Sequence, residues 1–536
     1  MLCLLFVGDL LGIKVERAWE FNSTFPLRSI IPIYLSTALP LLLLKALLFS
    51  CGYAISWYSL TVAVRLLVTT MSLITDYTSM QLVGWHRGGD AVSAAVVMAT
   101  SYISLVYYTR TFSNTIESFL FAILLCLVRR SDRNSHFRHA GIISMLLVVG
   151  VFNRPTLLFY AAVPYLWWLF NDGLHRVIVK AVNSMLTAVP VSLTLVICDS
   201  IYFGYLDINN VNIANLGDFR SFLTHNLTLT PLNFILYNTR SGNLAEHGIH
   251  PRFTHFVVNV PLLFNVLSVY FFYDVFRWSL MVIYFRCHKL VSVYREKVIL
   301  VICCLIPLSL LSVFPHQEPR FLIPLLPVFA ALYACKITAS GAMLAFWAIA
   351  NVLGCLFFGC IHQAGVVPCL GYLQKTQSTG VERHVIFWHT YTAPQHLLLQ
   401  PSEMQDQVHA GSTSVTSLEG ISADDLVHHL TLLNSSHLEK PEVMIAAPSS
   451  EHYYLVCKAA EAGITLGLYQ SFWPHLSTEH PPKLDDILCH FPVSSCHGNT
   501  DAAATVGDDD DDFCKKTLID RIRFMSSLNL YQVTFS

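Results

Sequence analysis

Residues 29–50 read SIIPIYLSTALPLLLLKALLFS, an apolar run whose one charged residue is Lys45. About 20 apolar residues in a helix cross the hydrocarbon core of a bilayer, so this run predicts a membrane span. Similar runs recur as far as residue 362, at 57–75, 91–108, 112–129, 138–152, 155–170, 181–203, 256–285, 298–314, 321–336 and 341–362. The sequence therefore predicts an α-helical polytopic membrane protein.

The composition of the 536-residue chain supports this class. Apolar residue types make up 54% and charged types 13%, whereas a soluble domain carries about 25% charged residues. The formal net charge is −2. This balance excludes a soluble globular protein and a basic nucleic-acid binder that works by counterion release.

Clusters of Lys and Arg in short loops predict the orientation of the chain. The loops 129–138, 286–297 and the one flanked by Arg176 and Lys180 are basic, so we expect them to face the cytosol. The loop 204–255, the turn 315–320 and the tail after 362 then face the lumen. Three glycosylation sequons, at Asn22, Asn226 and Asn434, fall on that side.

One part of this topology stays open. The charges require an odd number of crossings between residues 51 and 110, but two apolar runs lie there. Either 57–75 or 91–108 is not a full span, or a third span is hidden. Arg65 lies inside the first run, where a charge is expected to face the protein interior or a wet cavity.

The chain is expected to have three parts: 1–28 as the remainder of a first lumenal loop, 29–362 as the membrane domain, and 363–536 as a lumenal region. In the last part, 384–389 and 443–447 are predicted strands, which indicates a small mixed α/β region. Residues 400–424 are polar and predict a loose insert. The cysteines after 361 show no zinc-binding spacing, and scattered histidines are typical of a surface, so no metal is expected.

A first polar motif, His316-Gln317-Glu318-Pro319-Arg320-Phe321, lies between two apolar runs. An arginine holds a phosphate through two parallel hydrogen bonds. Arg320 is therefore a candidate phosphate ligand, with His316 as a second donor and Glu318 orienting either side chain. The alternative is an interfacial turn with charges that snorkel to water.

A second motif begins at Arg110. Arg110, Asn114 and Glu117 share one helical face by their spacing. Glu117 lies within an apolar run and needs a partner, for which Arg110 and Arg65 are the candidates. The alternative is a purely structural ion pair between helices.

A third group lies in the predicted lumenal stretch 233–252 and contains Tyr237, Asn243, His247, His250 and Arg252. So many donors and acceptors in one loop suit a carbohydrate or phosphate surface. An ordinary polar loop is the alternative.

The His-Gln-Glu-Pro-Arg-Phe motif before an apolar span resembles the signature of glycosyltransferase family 22. These are GT-C membrane enzymes of the endoplasmic reticulum that use dolichyl-phosphate-mannose. The stretches 17–21, 107–117, 198–204 and 243–252 resemble the branch that adds the fourth, side-branch mannose to a glycosylphosphatidylinositol (GPI) precursor. The resemblance covers roughly residues 9–400.

The resemblance implies an inverting α-mannosyltransferase that works on the lumenal side, with dolichyl-phosphate-mannose and a GPI-precursor glycolipid as substrates and no cofactor. By this comparison, the donor phosphate is bound by His316, Glu318, Arg320 and Arg110. Substrate binding is assigned to Asn114, Glu117, Tyr237, Asn243, His247, His250 and Arg252.

The general base implied by the resemblance is a carboxylate in the first lumenal loop. Members of the family carry a His-Pro-Asp-Glu element there, after a first spanning helix, and this sequence starts after that element. We therefore expect the natural amino terminus to lie upstream of Met1. Asp9 is the candidate base within the sequence, and Glu20 is expected to be structural.

Three other functions are kept as alternatives. A sister family 22 enzyme would add the third GPI mannose or build the N-glycan precursor. A transporter or lipid scramblase is disfavoured because transporters often show internal repeats, and no repeat is visible here. A non-catalytic protein that binds GPI lipid is the third.

Overall fold

The computed structural model describes residues 19–53, 56–85, 89–131, 136–206, 226–240, 242–243, 248–284, 287–376, 382–399, 413–436, 441–482 and 516–535. These residues divide into two compact units. The first unit holds the described residues of 19–53 and 61–353. The second holds 56–60 and the described residues from 354 onward. Asp9 and His247 lie outside the described residues.

Helices form the first unit. In chain order they are α1 (Ile30–Ser50), α2 (Trp57–Val83), α3 (Ala91–Thr100), α4 (Ser113–Arg130), α5 (His136–Asn153), α6 (Leu157–Phe170), α7 (Leu174–Tyr202), α8 (Thr230–Thr239), α9 (Val260–Phe264), α10 (Val266–Ile283), α11 (Cys287–Leu311), α12 (Leu326–Thr338) and α13 (Gly341–Gly354). α2 begins, and α13 ends, within the second unit.

Within the described residues, six helical segments are long and apolar enough to cross a membrane. They are Ile30–Ser50, Ser59–Val83, Leu174–Tyr202, Val266–Ile283, Pro319–Thr338 and Gly341–Ile361. The prediction of a polytopic helical membrane protein is confirmed. The gap between the predicted runs 138–152 and 155–170 is also present, because α5 ends at Asn153 and α6 begins at Leu157.

Two predicted spans are not single helices. The run 256–285 is interrupted at Asn265, whose φ of 48° places it in the left-handed region that Asn tolerates better than most residues. In the run 91–108, the α-helix ends at Thr100 and a π-helical turn, Ile103–Tyr107, follows. The amide of Tyr102, freed by this break, donates to Asn351 Oδ1 at 2.8 Å. α3 has 10 residues, about half of what a full crossing requires.

A buried carboxylate fastens three of these helices together. Asp199, near the end of α7, accepts hydrogen bonds from Ser29 Oγ at 3.0 Å and from the amide of Ile30 at 3.1 Å. Thr230 Oγ1, at the start of α8, donates to the same carboxylate at 2.9 Å. Asp199 thus satisfies an amide at the start of α1 that has no partner within that helix.

The second unit contains a five-stranded mixed sheet, with strand order β2-β1-β3-β5-β4. The strands are β1 (Arg383–Trp388), β2 (Thr413–Leu418), β3 (Glu442–Pro448), β4 (Ile464–Phe472) and β5 (Leu528–Phe535), and the helices are α14 (Val366–Lys375), α15 (Ala423–Ser436), α16 (His452–Glu461) and α17 (Leu518–Met525). β1 is parallel to β2 and β3, whereas β5 is antiparallel to β3 and β4.

Successive residues of β1 point to opposite faces of this sheet. Val385 and Phe387 pack with residues of α14, while Ile386 and Trp388 pack with residues of α15 and α16. The two predicted strands of the tail are confirmed as β1 and β3. The predicted loose insert at 400–424 is too long, because residues 413–418 form β2 and α15 begins at Ala423. Residues 400–412 lie outside the described residues.

Candidate functional site

The predicted phosphate motif is organised around one carboxylate. Glu318 Oε1 lies 2.9 Å from His316 Nε2 and accepts a hydrogen bond from Arg320 Nη2 at 2.7 Å. The three side chains come from one turn, between α11 and the short 3₁₀ helix Pro319–Leu325 that leads into α12. Pro319 occupies the first helical position, where its missing amide hydrogen removes no helical hydrogen bond. The turn therefore presents an imidazole and a guanidinium on either side of one carboxylate.

Arg320 is the most accessible of the three. Its side chain is 37% exposed, against 28% for Glu318 and 16% for His316. The Arg320 guanidinium carbon lies 5.7 Å from the centre of the Phe112 ring, a cation–π distance. Tyr107 lies within electrostatic range of Arg320, Glu318 and Arg110. The structure thus brings Arg110 and Arg320 near the same tyrosine, and the assignment of Arg110 to the donor phosphate stays a prediction.

Glu318 is held in its ionised form. Burial disfavours the charged carboxylate, but the Arg320 guanidinium and the hydrogen bond from His316 outweigh it, so the pKa of Glu318 is well below its ordinary value. The balance is similar at Glu20, whose pKa is lowered because Arg28 outweighs the effect of burial. A lowered pKa makes a carboxylate a weaker proton acceptor, so both suit the holding of cations better than general-base catalysis.

The third predicted group joins this turn. His250 donates its amide to the Pro315 carbonyl at 2.8 Å, and His250 Nδ1 accepts from the amide of Gln317 at 3.4 Å. His316 Nδ1 lies 3.2 Å from the Gly248 carbonyl. Arg252 contributes its carbonyl, which accepts from Gln317 Nε2 at 3.2 Å. The loop 248–252 therefore braces the turn that carries Arg320.

Gln317 is the centre of this bracing, although the sequence reasoning assigned it no role. Its side chain is buried, and Nε2 also donates to the carbonyls of Ser312 at 3.1 Å and Phe314 at 3.0 Å. Its Oε1 accepts from the amide of His255 at 2.8 Å. In the sequence, the position of Gln317 between His316 and Glu318, at a turn between apolar runs, was the signal that could have indicated this role.

Glu117 pairs with Arg154, so the predicted partners Arg110 and Arg65 are wrong. Arg154 Nε lies 3.7 Å from Glu117 Oε2, and Thr156 Oγ1 donates to Glu117 Oε1 at 2.6 Å. Asn114 contacts both, since Nδ2 donates to Glu117 and Oδ1 accepts from Arg154, each at 3.4 Å. Arg65 is exposed on α2 and does not lie in the protein interior; the alternative expectation, a wet cavity, stays a prediction.

A third arginine extends the cluster. Arg28 Nη2 donates to Glu20 Oε1 at 3.0 Å, and Arg28 Nη1 donates to the Asn153 carbonyl at 3.1 Å. The Phe234 ring centre lies 5.0 Å from the Arg28 guanidinium carbon and 5.9 Å from that of Arg154. Glu20 is therefore held in an ion pair with Arg28, and its structural role stays a prediction.

One aromatic ring links the buried pair to the accessible arginine. The Phe321 ring centre lies 5.2 Å from the Arg154 guanidinium carbon and 6.0 Å from that of Arg320. Arg154 also adds its positive potential to Glu20, as does Arg320. Three arginines, Arg28, Arg154 and Arg320, therefore face one region, in which two are buried with their carboxylates and one is open.

The remaining predicted residues lie beside this region. Asn243 donates to the Tyr237 carbonyl at 3.2 Å, and the Tyr237 ring lies 5.2 Å from that of Trp19. Of the sequon residues, Asn22 is exposed and Asn226 and Asn434 are partly buried. The arrangement as a whole offers a partly exposed guanidinium to an anion, on a turn braced by hydrogen bonds through His316 and Gln317.

The chain is similar to known proteins. Residues 5–400 match the Alg9-like mannosyltransferase family. The chain is 34% identical over 427 residues to GPI alpha-1,2-mannosyltransferase 4 of Homo sapiens, covering 73% of this chain and 70% of that protein. It is 29% identical over 585 residues to GPI mannosyltransferase 4 of Drosophila melanogaster, covering 89% and 82%. Among solved structures, ArnT from Cupriavidus metallidurans bound to undecaprenyl phosphate aligns with a TM-score of 0.49 and 8% identity, over 88% of this chain and 91% of that one.

Proposed function

The chain belongs to the Alg9-like mannosyltransferase family, and on that premise we propose that it transfers mannose from dolichyl-phosphate-mannose to a GPI precursor. The bond formed is α-1,2 and the mannose is the fourth, side-branch residue, by analogy with the similar human and fly proteins. The observation that carries the proposal is the braced turn on which Glu318 aligns His316 and the accessible Arg320.

The reaction is an inverting displacement at the anomeric carbon of mannose. A hydroxyl of the acceptor glycan attacks this carbon, and the bond from the carbon to the phosphate oxygen of the donor breaks. The electron pair of that bond leaves with dolichyl phosphate. The proton of the attacking hydroxyl passes to a general base.

Charge develops on the departing phosphate, and the cluster is suited to stabilise it. Arg320 binds two phosphate oxygens through its fork of donors, and Arg110 adds positive charge. His316, whose two ring nitrogens contact Glu318 and the Gly248 carbonyl, holds the turn beside the phosphate. Glu318 keeps Arg320 in place without accepting the proton, because its low pKa holds it ionised. Asn114, Glu117 and Arg154 position the turn through Phe321. No cofactor enters the proposal, because the donor supplies its own leaving group.

The proposed base is Asp9, which lies outside the described residues. Its candidacy rests on the family resemblance and on the low pKa values of Glu20 and Glu318, which make both poor proton acceptors. Tyr237, Asn243, His247, His250 and Arg252 are proposed to contact the acceptor glycan.

The proposed location is the lumenal side of the endoplasmic reticulum membrane. Cys457, in the second unit, is disulfide-bonded, and disulfides persist in oxidising compartments. The six apolar helices supply the membrane anchor.

The test is transfer by the purified full chain in lipid nanodiscs. The substrates are dolichyl-phosphate-mannose with labelled mannose and a synthetic GPI carrying three mannoses. We expect a product with one added mannose that an α-1,2-specific mannosidase removes. Arg320→Ala is expected to lose this activity, whereas Arg176→Ala, at an exposed side chain in the first turn of α7, should retain it.

Two results would contradict the proposal. Transfer to a two-mannose GPI or to the N-glycan precursor, in preference to the three-mannose acceptor, would assign the chain to a sister reaction. Binding of the GPI acceptor with no transfer, under conditions in which a related active enzyme works, would indicate a lipid-binding protein.

A further inference from the structure

Three potential metal ligands meet at one edge of the sheet in the second unit. β1 and β3 are adjacent and parallel, so their carboxyl ends lie at the same edge. His389 directly follows β1, and Glu451 lies three residues beyond the end of β3. The third group, His480, comes from the segment that follows β4. The fold thus brings together side chains from three separate parts of the chain.

The geometry of this cluster suits a single ion. A ligand atom from each of His389, Glu451 and His480 lies within 4.8 Å of the other two. His480 Nδ1 is 3.1 Å from Glu451 Oε1, and the His389 and His480 rings lie 3.8 Å apart, centre to centre. Ser450 Oγ donates to the His480 carbonyl at 2.8 Å and holds this residue beside Glu451.

The surroundings of His389 are those of a histidine that binds through Nδ1. Its Nε2 lies 3.2 Å from the Ile421 carbonyl, which also accepts from Trp388 Nε1 at 3.0 Å. Metal-bound histidines usually donate their second ring nitrogen to such a carbonyl. His389 Nδ1 is buried and has no hydrogen-bond partner within the described residues.

The backbone conformation of His389 also supports a ligand site. Its φ of 54° is in the left-handed region, which few non-glycine residues occupy. Such a conformation is unfavourable and is often found where a side chain must be aimed at a ligand. Here it turns the imidazole toward Glu451 and His480 at the end of β1.

We propose that His389, Glu451 and His480 bind one Zn²⁺ ion, with water as the fourth ligand. Two imidazoles and a carboxylate are a ligand set that Zn²⁺ takes, at distances of about 2.0–2.2 Å. Imidazole ligands favour zinc over Mg²⁺ and Ca²⁺, which prefer oxygen. The two rings are nearly parallel, at 13°, so binding requires them to rotate until both lone pairs meet the ion.

The role of this ion is to fasten the segment after β4 to the edge of the sheet. Zinc is redox-inactive and stabilises small domains by joining distant segments. The inference of this zinc site does not rest on the proposed sugar transfer. It also revises the expectation of no metal, which was based on cysteine spacing and on the histidines being scattered in sequence.

The experiment measures zinc directly on the purified full chain. The protein is freed of metal with a chelator and titrated with Zn²⁺ against a chromophoric competitor, and the bound metal is counted by mass spectrometry. We expect one zinc per chain and a higher thermal unfolding midpoint. Glu451→Gln, His480→Gln and His389→Asn, the last chosen because Asn tolerates positive φ, should each weaken binding at least about tenfold. His428→Gln, at an exposed position of α15, is the matched control and should bind as the wild type does.

X-ray absorption of the zinc-loaded wild type supplies a measurement that needs no variant. We expect the scattering of two imidazoles and no sulfur ligand, which separates this site from binding to free cysteines. Binding equal in the wild type and in Glu451→Gln/His480→Gln, or a zinc spectrum without imidazole, would overturn the proposal.

Discussion

The Arg154 guanidinium lies 3.7 Å from the Glu117 carboxylate, and both side chains are more than nine-tenths buried. Arg154 stands at the junction of α5 and α6, and Glu117 lies in the second turn of α4. The pair therefore fixes the α5–α6 junction against α4. Phe321, which contacts both Arg154 and Arg320, carries this constraint to the phosphate-binding turn.

The first prediction concerns this buried pair. Removing one charge leaves the other buried without its partner, which costs about 3–5 kcal/mol. Arg154→Met and Glu117→Leu should therefore each lower the thermal unfolding midpoint and the amount of folded protein. The double variant should recover much of the loss, because it removes both charges. Fluorescence-detected thermal unfolding of the purified chain measures all three.

The control for this prediction is Arg176, whose side chain is 60% exposed and lies 3.4 Å from Asp172. Arg176→Met should change the midpoint little, because an exposed charge contributes about 0–1 kcal/mol through its ion pair and Asp172 keeps its contact with Lys180 at 2.6 Å. A double variant as unstable as the sum of the single ones would show that the pair acts through other contacts.

The second prediction separates Arg320 from its positioning partner. Arg320→Lys keeps the charge but loses the two-pronged contact with phosphate, so kcat/KM for the donor should fall about 10- to 100-fold, a loss of about 1.4–2.8 kcal/mol. Glu318→Gln keeps the shape of the side chain and still accepts from Arg320, so its loss should be smaller. Steady-state kinetics with varied donor concentration measure both.

The double variant Glu318→Gln/Arg320→Lys shows whether the two side chains act together. Glu318→Gln acts by releasing Arg320, so adding it to Arg320→Lys should cause little further loss. Additive losses, or a Glu318→Gln variant that is less active than Arg320→Lys, would mean that Glu318 contacts the substrate itself.

The third prediction follows from the low pKa of Glu318. A carboxyl whose pKa is lower in the folded protein stabilises it above the unfolded pKa, about 4.3, and loses this effect as the pH falls toward the folded pKa. The difference in unfolding midpoint between wild type and Glu318→Gln should thus be constant from about pH 8 to pH 5.5 and shrink below about pH 4.3. A difference that already declines between pH 7 and 6 would contradict a strongly paired Glu318.

The helical membrane class was predictable from hydropathy, because a bilayer-crossing helix is specified by one continuous apolar run such as 29–50. The break at Asn265 was not readable, since no Pro or Gly marks it. The end of α3 at Thr100 depends on Asn351, which is remote in sequence and satisfies the freed amide of Tyr102. Local pattern therefore predicted the kind of element better than the ends of the helices.

The candidate site shows the same division. The residues of the turn 316–320 were found because they are consecutive. The partner of Glu117 was missed because it depends on which helices are neighbours, although a charged Arg154 directly before Pro155, between two apolar runs, was a usable signal. The cluster of His389, Glu451 and His480 had no such signal, because only the parallel pairing of β1 and β3 brings the first two together.

The last prediction concerns glycosylation, which also tests the orientation of the chain. A glycan is bulky and must stand on the surface. Asn22 is exposed, whereas Asn434 lies within α15 and its side-chain oxygen is buried. We expect Asn22 to carry a glycan and Asn434 to carry none. In an Asn226→Gln background, which removes the third sequon, treatment of the cell-expressed chain with an N-glycosidase should increase its gel mobility. Asn22→Gln should there cause the same increase without the enzyme, and Asn434→Gln should leave the mobility unchanged. A glycosidase shift that persists in full in Asn22→Gln would place that residue on the cytosolic side or out of reach, and would contradict the lumenal assignment of the segment before α1.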